Sequence, residues 1–176
     1  MKDLLSLPAR DRLGVLVVVE TPAGARAKLK YEPSLGRITW SRPLPLGFHY
    51  PFDFGFVPST LAADGDPLDA MIFGQGPGVP GAVVHCRLLG VLEVEQNRKS
   101  GRGRERNDRL LVAPSVAEAA AAPRDVRGIP PRVRAELEGF FAGSTRWEHK
   151  DLRFLGWKGP RVAENLLKRS KSRSRG

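Results

Sequence analysis

The apolar positions of this chain come first in short β-branched runs and only later at helical spacing. Val15–Glu20 reads VLVVVE, a continuous apolar run of the kind seen in a strand buried on both faces. TPAGAR breaks it, and Ala27–Glu32, AKLKYE, resumes with the alternation of a half-buried strand. Arg37–Ser41, RITWS, is a further strand. From Pro43 to Pro58 aromatic residues, proline and glycine dominate, which predicts a structured loop region around short strands. AMIF at Ala70–Phe73, the long apolar stretch Ala82–Glu95 with one or two core strands, and LLVA at Leu110–Ala113 complete the β signals. Helical signals follow: SVAEAAAA over Ser115–Ala122 with Ser115 as its cap, PPRVRAELEGFF over Pro130–Phe141 with proline at its start, and Val162–Lys168. No internal repeat is present. The pattern predicts a strand-rich barrel or sheet with two or three helices packed outside it.

Composition narrows this picture. The 176 residues are enough for one domain with a real core, placed here at residues 1–167. The 19 glycines and 15 prolines fit a chain with many turns. Its formal charge of +10 is concentrated in NRKSGRGRERNDR, from Asn97 to Arg109, and in KRSKSRSR, from Lys168 to Arg175. Residues 168–176 lack apolar positions and are read as a basic, disordered tail. Such an excess implies an anionic partner: nucleic acid, a membrane surface or a small phosphate compound. Cys86 is the single cysteine, which excludes an internal disulfide and fits a reducing compartment. MKDLLSLPARDR lacks the apolar run of a secretory signal, and no apolar stretch approaches the ~20 residues that cross a bilayer. These features predict a soluble, cytoplasmic protein with no membrane partner.

In so basic a chain DGDPLD, residues 64–69, is the outlier, with aspartates at i, i+2 and i+5. Carboxylates this close repel one another unless a cation neutralises them. Asp64 and Asp66 share a side if the segment is extended, and Gly65 and Pro67 let the chain turn so that Asp69 joins them. Converging carboxylate oxygens are what a hard cation such as Mg²⁺ takes. On spacing alone a solvated acidic turn is an equal alternative, since Asp-Gly and Asp-Pro are turn dipeptides. An EF-hand calcium loop is excluded, because Gln75 stands where that loop needs glutamate.

DGDPLD followed by an apolar residue resembles the signature of soluble family I inorganic pyrophosphatases. The resemblance runs from LLSLPA through VVVETPAGARAKLKYE, RPLPLGFHYPFDFGFVPST, DGDPLDAMIF and CRLLGVLE to LLVAP and GFF. It implies a mainly β (α+β) fold, an OB-like closed five-stranded barrel with two or three flanking helices. It also implies Mg²⁺-dependent hydrolysis of pyrophosphate to two phosphates, with Mn²⁺ as the alternative ion, and assembly as a homo-oligomer, a hexamer. By the same resemblance Asp64, Asp66, Asp69 and Glu20 hold metal, and Asp66 is the catalytic general base toward water. Lys30, Arg42 and Arg109 bind the substrate. The chemistry is coherent, since metal and fixed cations together neutralise a tetra-anionic substrate.

The pattern also departs from the family within the site. Gln96 and Asn107 stand where two further metal-binding aspartates are expected, with Asp108 next door but facing the other way on a strand. Arg109 replaces a lysine, Phe54 a phosphate-contacting tyrosine, and Ser144-Thr145 a Tyr-Lys pair. Arg106 and Arg109 are candidate replacement cations, while Arg102 and Arg104 are read as solvated loop. Tyr50 is a candidate to reach the site through its hydroxyl, and Trp157 is expected to pack the C-terminal segment. Reduced or altered pyrophosphatase activity is therefore part of the expectation. Two alternatives stand beside it: a catalytically silent protein that binds pyrophosphate or a nucleotide on the same fold, and a nucleic-acid binder using the arginine-rich loop and tail. The last is disfavoured because the aromatic residues gather beside the aspartates and not among the arginines.

Overall fold

A computed structural model describes residues 3–116 and 122–170. The helix expected over Ser115–Ala122 falls, except for its ends, outside them, as do residues 171–176 of the basic tail. The strands are β1 (Arg10–Asp11), β2 (Gly14–Thr21), β3 (Ala27–Glu32), β4 (Arg37–Pro43), β5 (Asp53–Val57), β6 (Leu68–Ile72), β7 (Val83–Asn97), β8 (Arg104–Arg106), β9 (Arg109–Pro114) and β10 (Arg153–Lys158). Among the described residues two α-helices accompany them, α1 (Pro131–Ser144) and α2 (Pro160–Arg169).

Five strands close on themselves. β2 pairs with β5, β5 with β6, β6 with β9, β9 with β7, and β7 returns to β2. The ring is the mainly β arrangement expected, and β3 and β4 form a separate two-stranded sheet beside it. The long stretch Ala82–Glu95, read as one strand or two, is a single strand. β7 serves β2 with Val83–Cys86, β9 with Cys86–Leu92 and β10 with Val91–Glu95. It bends where its register with β9 shifts between Leu88 and Gly90. Glycine is required there, since a Cβ on Gly90 would lie 2.3 Å from the Lys158 carbonyl oxygen. Gly55 answers the same need at the β2–β5 crossing, where a Cβ would meet the Val18 carbonyl at 1.8 Å.

Period-two alternation divides the ring strands into two faces. Leu68, Ala70 and Ile72 of β6 and Leu110 and Val112 of β9 pack with Ala163, Leu166 and Leu167 of α2. Met71, Leu111 and Ala113 face the other way, toward Leu137 and Phe141 of α1. The odd-numbered rows on α1's side begin with Asp69 and Arg109, which are direct partners on the parallel β6–β9 pair. A carboxylate and a guanidinium are thus fixed side by side by strand register. Both helices start with proline in the first turn, where its missing N–H costs nothing. α2 covers Lys168 and Arg169, so the first two residues of the basic run are helical. Trp157 packs against the α1-side core, as expected, and its Nε1 donates to Glu138 Oε1 at 2.7 Å.

Candidate active site

The DGDPLD segment is half turn and half strand. Gly65 takes a left-handed φ of +85°, and the Asp66 amide donates to Asp64 Oδ1 at 3.2 Å, closing the turn. β6 begins at Leu68, so Asp69 projects from a strand into the α1-side row. The Asp64 side chain is 5% exposed and that of Asp66 37%. Two lysines meet this pair. Lys99 Nζ lies 2.5 Å from Asp66 Oδ2 and 3.5 Å from Asp64 Oδ2, and Lys30 Nζ lies 3.4 Å from both Asp66 oxygens. Burial alone would raise the Asp66 carboxyl, but hydrogen bonding from Lys99 and the charges of Lys30 and Lys99 outweigh it and hold it below the usual range. Asp69 moves the opposite way. Burial raises its carboxyl against the pull of Arg109 and Lys28. Among the described residues no three acidic, histidine or cysteine side chains converge as a ready cage. Asp64 and Asp66 on the turn and Asp69 on the adjoining strand instead offer hard oxygen donors that already draw ammonium groups, a donor chemistry that fits a hard cation.

A second cluster lies under the rim. Glu20, near the end of β2, is 7% exposed and accepts the Tyr31 amide at 2.7 Å. Burial, with help from the Asp69 charge, pushes its carboxyl up to about 7, against the Tyr31 amide and Lys28. Lys28 shares the β3 face with Lys30 but lies deeper; burial lowers its ammonium, and Asp69 and Glu20 support it. Lys150 lies close enough to act on both Lys28 and Asp69, and its Nζ pairs with Glu148 Oε2 at 3.0 Å. Two non-glycine residues in left-handed backbone flank it, His149 at φ +54° and Asp151 at φ +45°, conformations that cost energy and cluster at functional sites. Arg42 of β4 pairs with Glu148 and donates from Nη1 to the Ser144 carbonyl at 3.0 Å. Lys28 and Lys150 were not among the sequence candidates.

The raised Glu20 carboxyl carries a pH prediction. Between pH 4.5 and about 7 the folded chain keeps a proton that the unfolded chain gives up, so stability falls as pH rises through that window. Glu20→Gln keeps the acceptor for the Tyr31 amide and removes the charge. In metal-free buffer it is expected to be more stable than the parent by on the order of 2 kcal/mol above neutrality. The two should be nearly equal at the acid end of the window. Urea denaturation at both pH values measures this.

Arg109, 5% exposed, anchors the other side of the site. Its Nη1 donates to the Asn107 carbonyl at 2.9 Å and its guanidinium lies 4.6 Å from the Phe141 ring centroid. Tyr50 is buried between Phe54 and Phe140, ring centroids 5.7 and 5.0 Å away, within electrostatic reach of Arg42, Asp69 and Arg109; burial raises its phenol strongly. Phe54 is core in the same cluster. Gln96 and Asn107 are joined, Asn107 Nδ2 donating to Gln96 Oε1 at 3.0 Å, and Gln96 Nε2 donates to Glu105 Oε1 at 3.3 Å. Asp108 does point away, accepting the Val94 amide and Arg106. Arg106, a candidate replacement cation, is therefore corrected: it is tied to Asp108 and Glu93 on that other side. Arg104, read as solvated loop, sits in β8 and pairs with Asp151 and Glu95. The Ser144 and Thr145 hydroxyls turn back to the Phe141 carbonyl, at 3.2 and 2.9 Å, and serve the end of α1.

The site so assembled sets a carboxylate rim, Asp64, Asp66 and Asp69, against Lys28, Lys30, Lys99, Arg109, Arg42 and Lys150. Comparison with known proteins gives a consistent answer. A family model described as inorganic pyrophosphatase matches residues 17–175. The inorganic pyrophosphatase of Thermus thermophilus is 36% identical over 170 residues, covering 93% of each chain, and that of Synechocystis is 32% identical over 157 residues, covering 89% of each. The crystal structure of an inorganic pyrophosphatase from Thermus thermophilus superposes with a TM-score of 0.88 at 31% identity, over 99% of this chain and 100% of that one. One from Coxiella burnetii gives 0.82 at 30% identity, over 93% and 97%.

Proposed function

The chain belongs to the inorganic pyrophosphatase family, and from that premise we propose that it hydrolyses pyrophosphate to two phosphates at the Asp64–Asp66–Asp69 rim. The observation that carries this is the interleaving of charge: Asp69 is the register partner of Arg109 and lies within reach of Lys28 and Lys150, with Asp64 and Asp66 beside it. A site of carboxylates alone would bind metal but repel the substrate, and a site of cations alone would hold phosphate without activating water. Asp64, Asp66, Asp69 and Glu20 would hold Mg²⁺, with Mn²⁺ as the alternative. When bound, such an ion supplies Lewis acidity, neutralising the diphosphate and acidifying water. Asp66, kept ionised by its lysines, would take the proton of the attacking water. Lys30, Arg42 and Arg109 bind phosphate oxygens, with Lys28 and Lys150 beneath them, and stabilise charge on the leaving phosphate. Arg109 offers a planar fork where the family has lysine.

The Gln96–Asn107 amide pair favours a second reading, binding of pyrophosphate without turnover, because neither residue contributes charge to a metal site. Phosphate release from pyrophosphate by the purified chain, with Mg²⁺, with Mn²⁺ and with neither, separates the two. Metal-dependent release is the expected result. Calorimetric binding of pyrophosphate with no release would establish the second reading instead. The nucleic-acid reading loses support from Arg104 and Arg106, which are paired with acids of this chain, Asp151 and Asp108.

The same reading takes the chain as one domain of a cytoplasmic homo-oligomer, a hexamer. It is supported by the family resemblance and by the single buried thiol of Cys86. Among the described residues no helix is long and apolar enough to cross a membrane. Sedimentation velocity of the purified chain measures the assembly.

A further inference from the structure

The hairpin between β7 and β8 starts from Gln96 and Asn97, opposite Glu105 and Arg104. Its loop closes through the Arg98 amide, which donates to the Gly103 carbonyl at 3.2 Å, with Gly101 and Gly103 in left-handed backbone, φ +82° and +102°. This loop carries Lys99 back over the acidic turn. Lys99 Nζ reaches Asp66 Oδ2 at 2.5 Å, Asp64 Oδ2 at 3.5 Å and the Asp64 carbonyl at 3.4 Å. Three oxygens around one ammonium, from both rim aspartates and the turn that links them, is a built contact. The carboxylates and the turn carbonyl are hard-cation donors of the kind that bind Mg²⁺.

The base of the same hairpin is chemically matched to it. Gln96 is buried, accepts from Asn107 and donates from Nε2 to Glu105 Oε1 at 3.3 Å, so two neutral amides, with one carboxylate bound behind them, stand where a site richer in metal would place carboxylates of its own. With less negative charge there to hold divalent ions, an ammonium beside Asp64 and Asp66 supplies neutralisation from within the chain. Lys99 is 49% exposed on its side chain and carries a flexible four-carbon stem, so it can leave the aspartates without disturbing the core.

We propose that Lys99 is a tethered counter-ion of Asp64 and Asp66, which a divalent cation must displace and which sets how tightly this site takes metal. The inference rests on the assignment of the rim aspartates as metal ligands made above. Both aspartates are shared between the two competitors, and a lysine left near a divalent ion repels it, so removing the ammonium strengthens the ion's hold.

The test is Mn²⁺ binding by the full chain without pyrophosphate, followed by loss of the free-ion signal in electron paramagnetic resonance. Lys99→Gln is expected to bind Mn²⁺ about tenfold more tightly than the parent, Lys99→Arg like the parent, and Asp66→Asn weakly. Equal affinity in the parent and Lys99→Gln, with Asp66→Asn still weak, would overturn the counter-ion role and leave the aspartates as ligands. Absence of saturable Mn²⁺ binding in the parent and in Lys99→Gln would overturn the inference together with the metal-site assignment beneath it. Lys99 lies on an exposed loop, so its variants are expected to fold as the parent does.

Discussion

Asp69→Asn is expected to lower metal-dependent phosphate release by about a thousandfold, on the scale of losing one catalytic electrostatic group, while changing stability little, because relief of the buried carboxylate is offset by leaving Arg109 without its register partner. The two halves come from one observation. Burial raises the Asp69 carboxyl in spite of Arg109 and Lys28 beside it, so the folded chain is better suited to its neutral form. A raised carboxyl costs stability above its folded pKa, and asparagine, of the same shape, removes that cost. The charge it removes is the one the site needs, because a neutral amide is a poor donor for Mg²⁺ and no longer balances Arg109. Asp66→Asn should also abolish release but without relief of a raised carboxyl, since its lysines hold the Asp66 carboxyl low. Initial rates with saturating Mg²⁺, set beside urea midpoints, read both effects. Asp69→Asn activity within about threefold of the parent would show that Asp69 lies outside the chemistry.

The strands that carry continuous or alternating apolar runs, β2, β3, β4, β6 and β9, were legible because burial on one or two faces writes itself into the residues. β8 and β10 were not. RER is polar throughout, and RFLGWK gains its place from pairing with β7 across a register shift between Phe154 and Gly156. No local pattern encodes such long-range pairing. The aspartates were visible from spacing, yet the assignment of Asp69 to a strand was not, since DGDPLD reads as turn throughout. Lys30 came from the resemblance, and alternation alone would have put Lys28 on the same face of AKLKYE. What the sequence hides is depth: Lys28 is partly buried, and Lys30 is exposed at the rim. Lys150 sits between two left-handed non-glycine residues, His149 and Asp151, and spacing gives no warning of it. Arg106 was misplaced for the reason that correctly placed Asp108. Adjacent strand residues face opposite sides, and the arginine follows its acid.

Arg109→Met is expected to destabilise the protein by about 4 kcal/mol, within the range for breaking a buried ion pair from one side. Methionine preserves most of the aliphatic stem and removes the guanidinium that lies over Phe141, so the loss reports the charged group with its ring contact more than a cavity. Burial lowers the Arg109 guanidinium, with Asp69 the largest influence against that, and a guanidinium does not deprotonate in proteins. The charge is therefore present in the fold and held there chiefly by its register partner. Without it Asp69 keeps Lys28 and Lys150, and its carboxyl rises further. The acid limb of the activity profile should then move to higher pH, and the KM for pyrophosphate should rise as one phosphate-binding fork is lost. The pairing itself is tested by the double variant. Arg109→Met with Asp69→Asn removes both charges, so its urea midpoint should recover most of what Arg109→Met alone loses. Strict additivity of the two changes would mean that the strands place Asp69 and Arg109 side by side without energetic coupling. Arg109 would then owe its place to Phe141 and the Asn107 carbonyl.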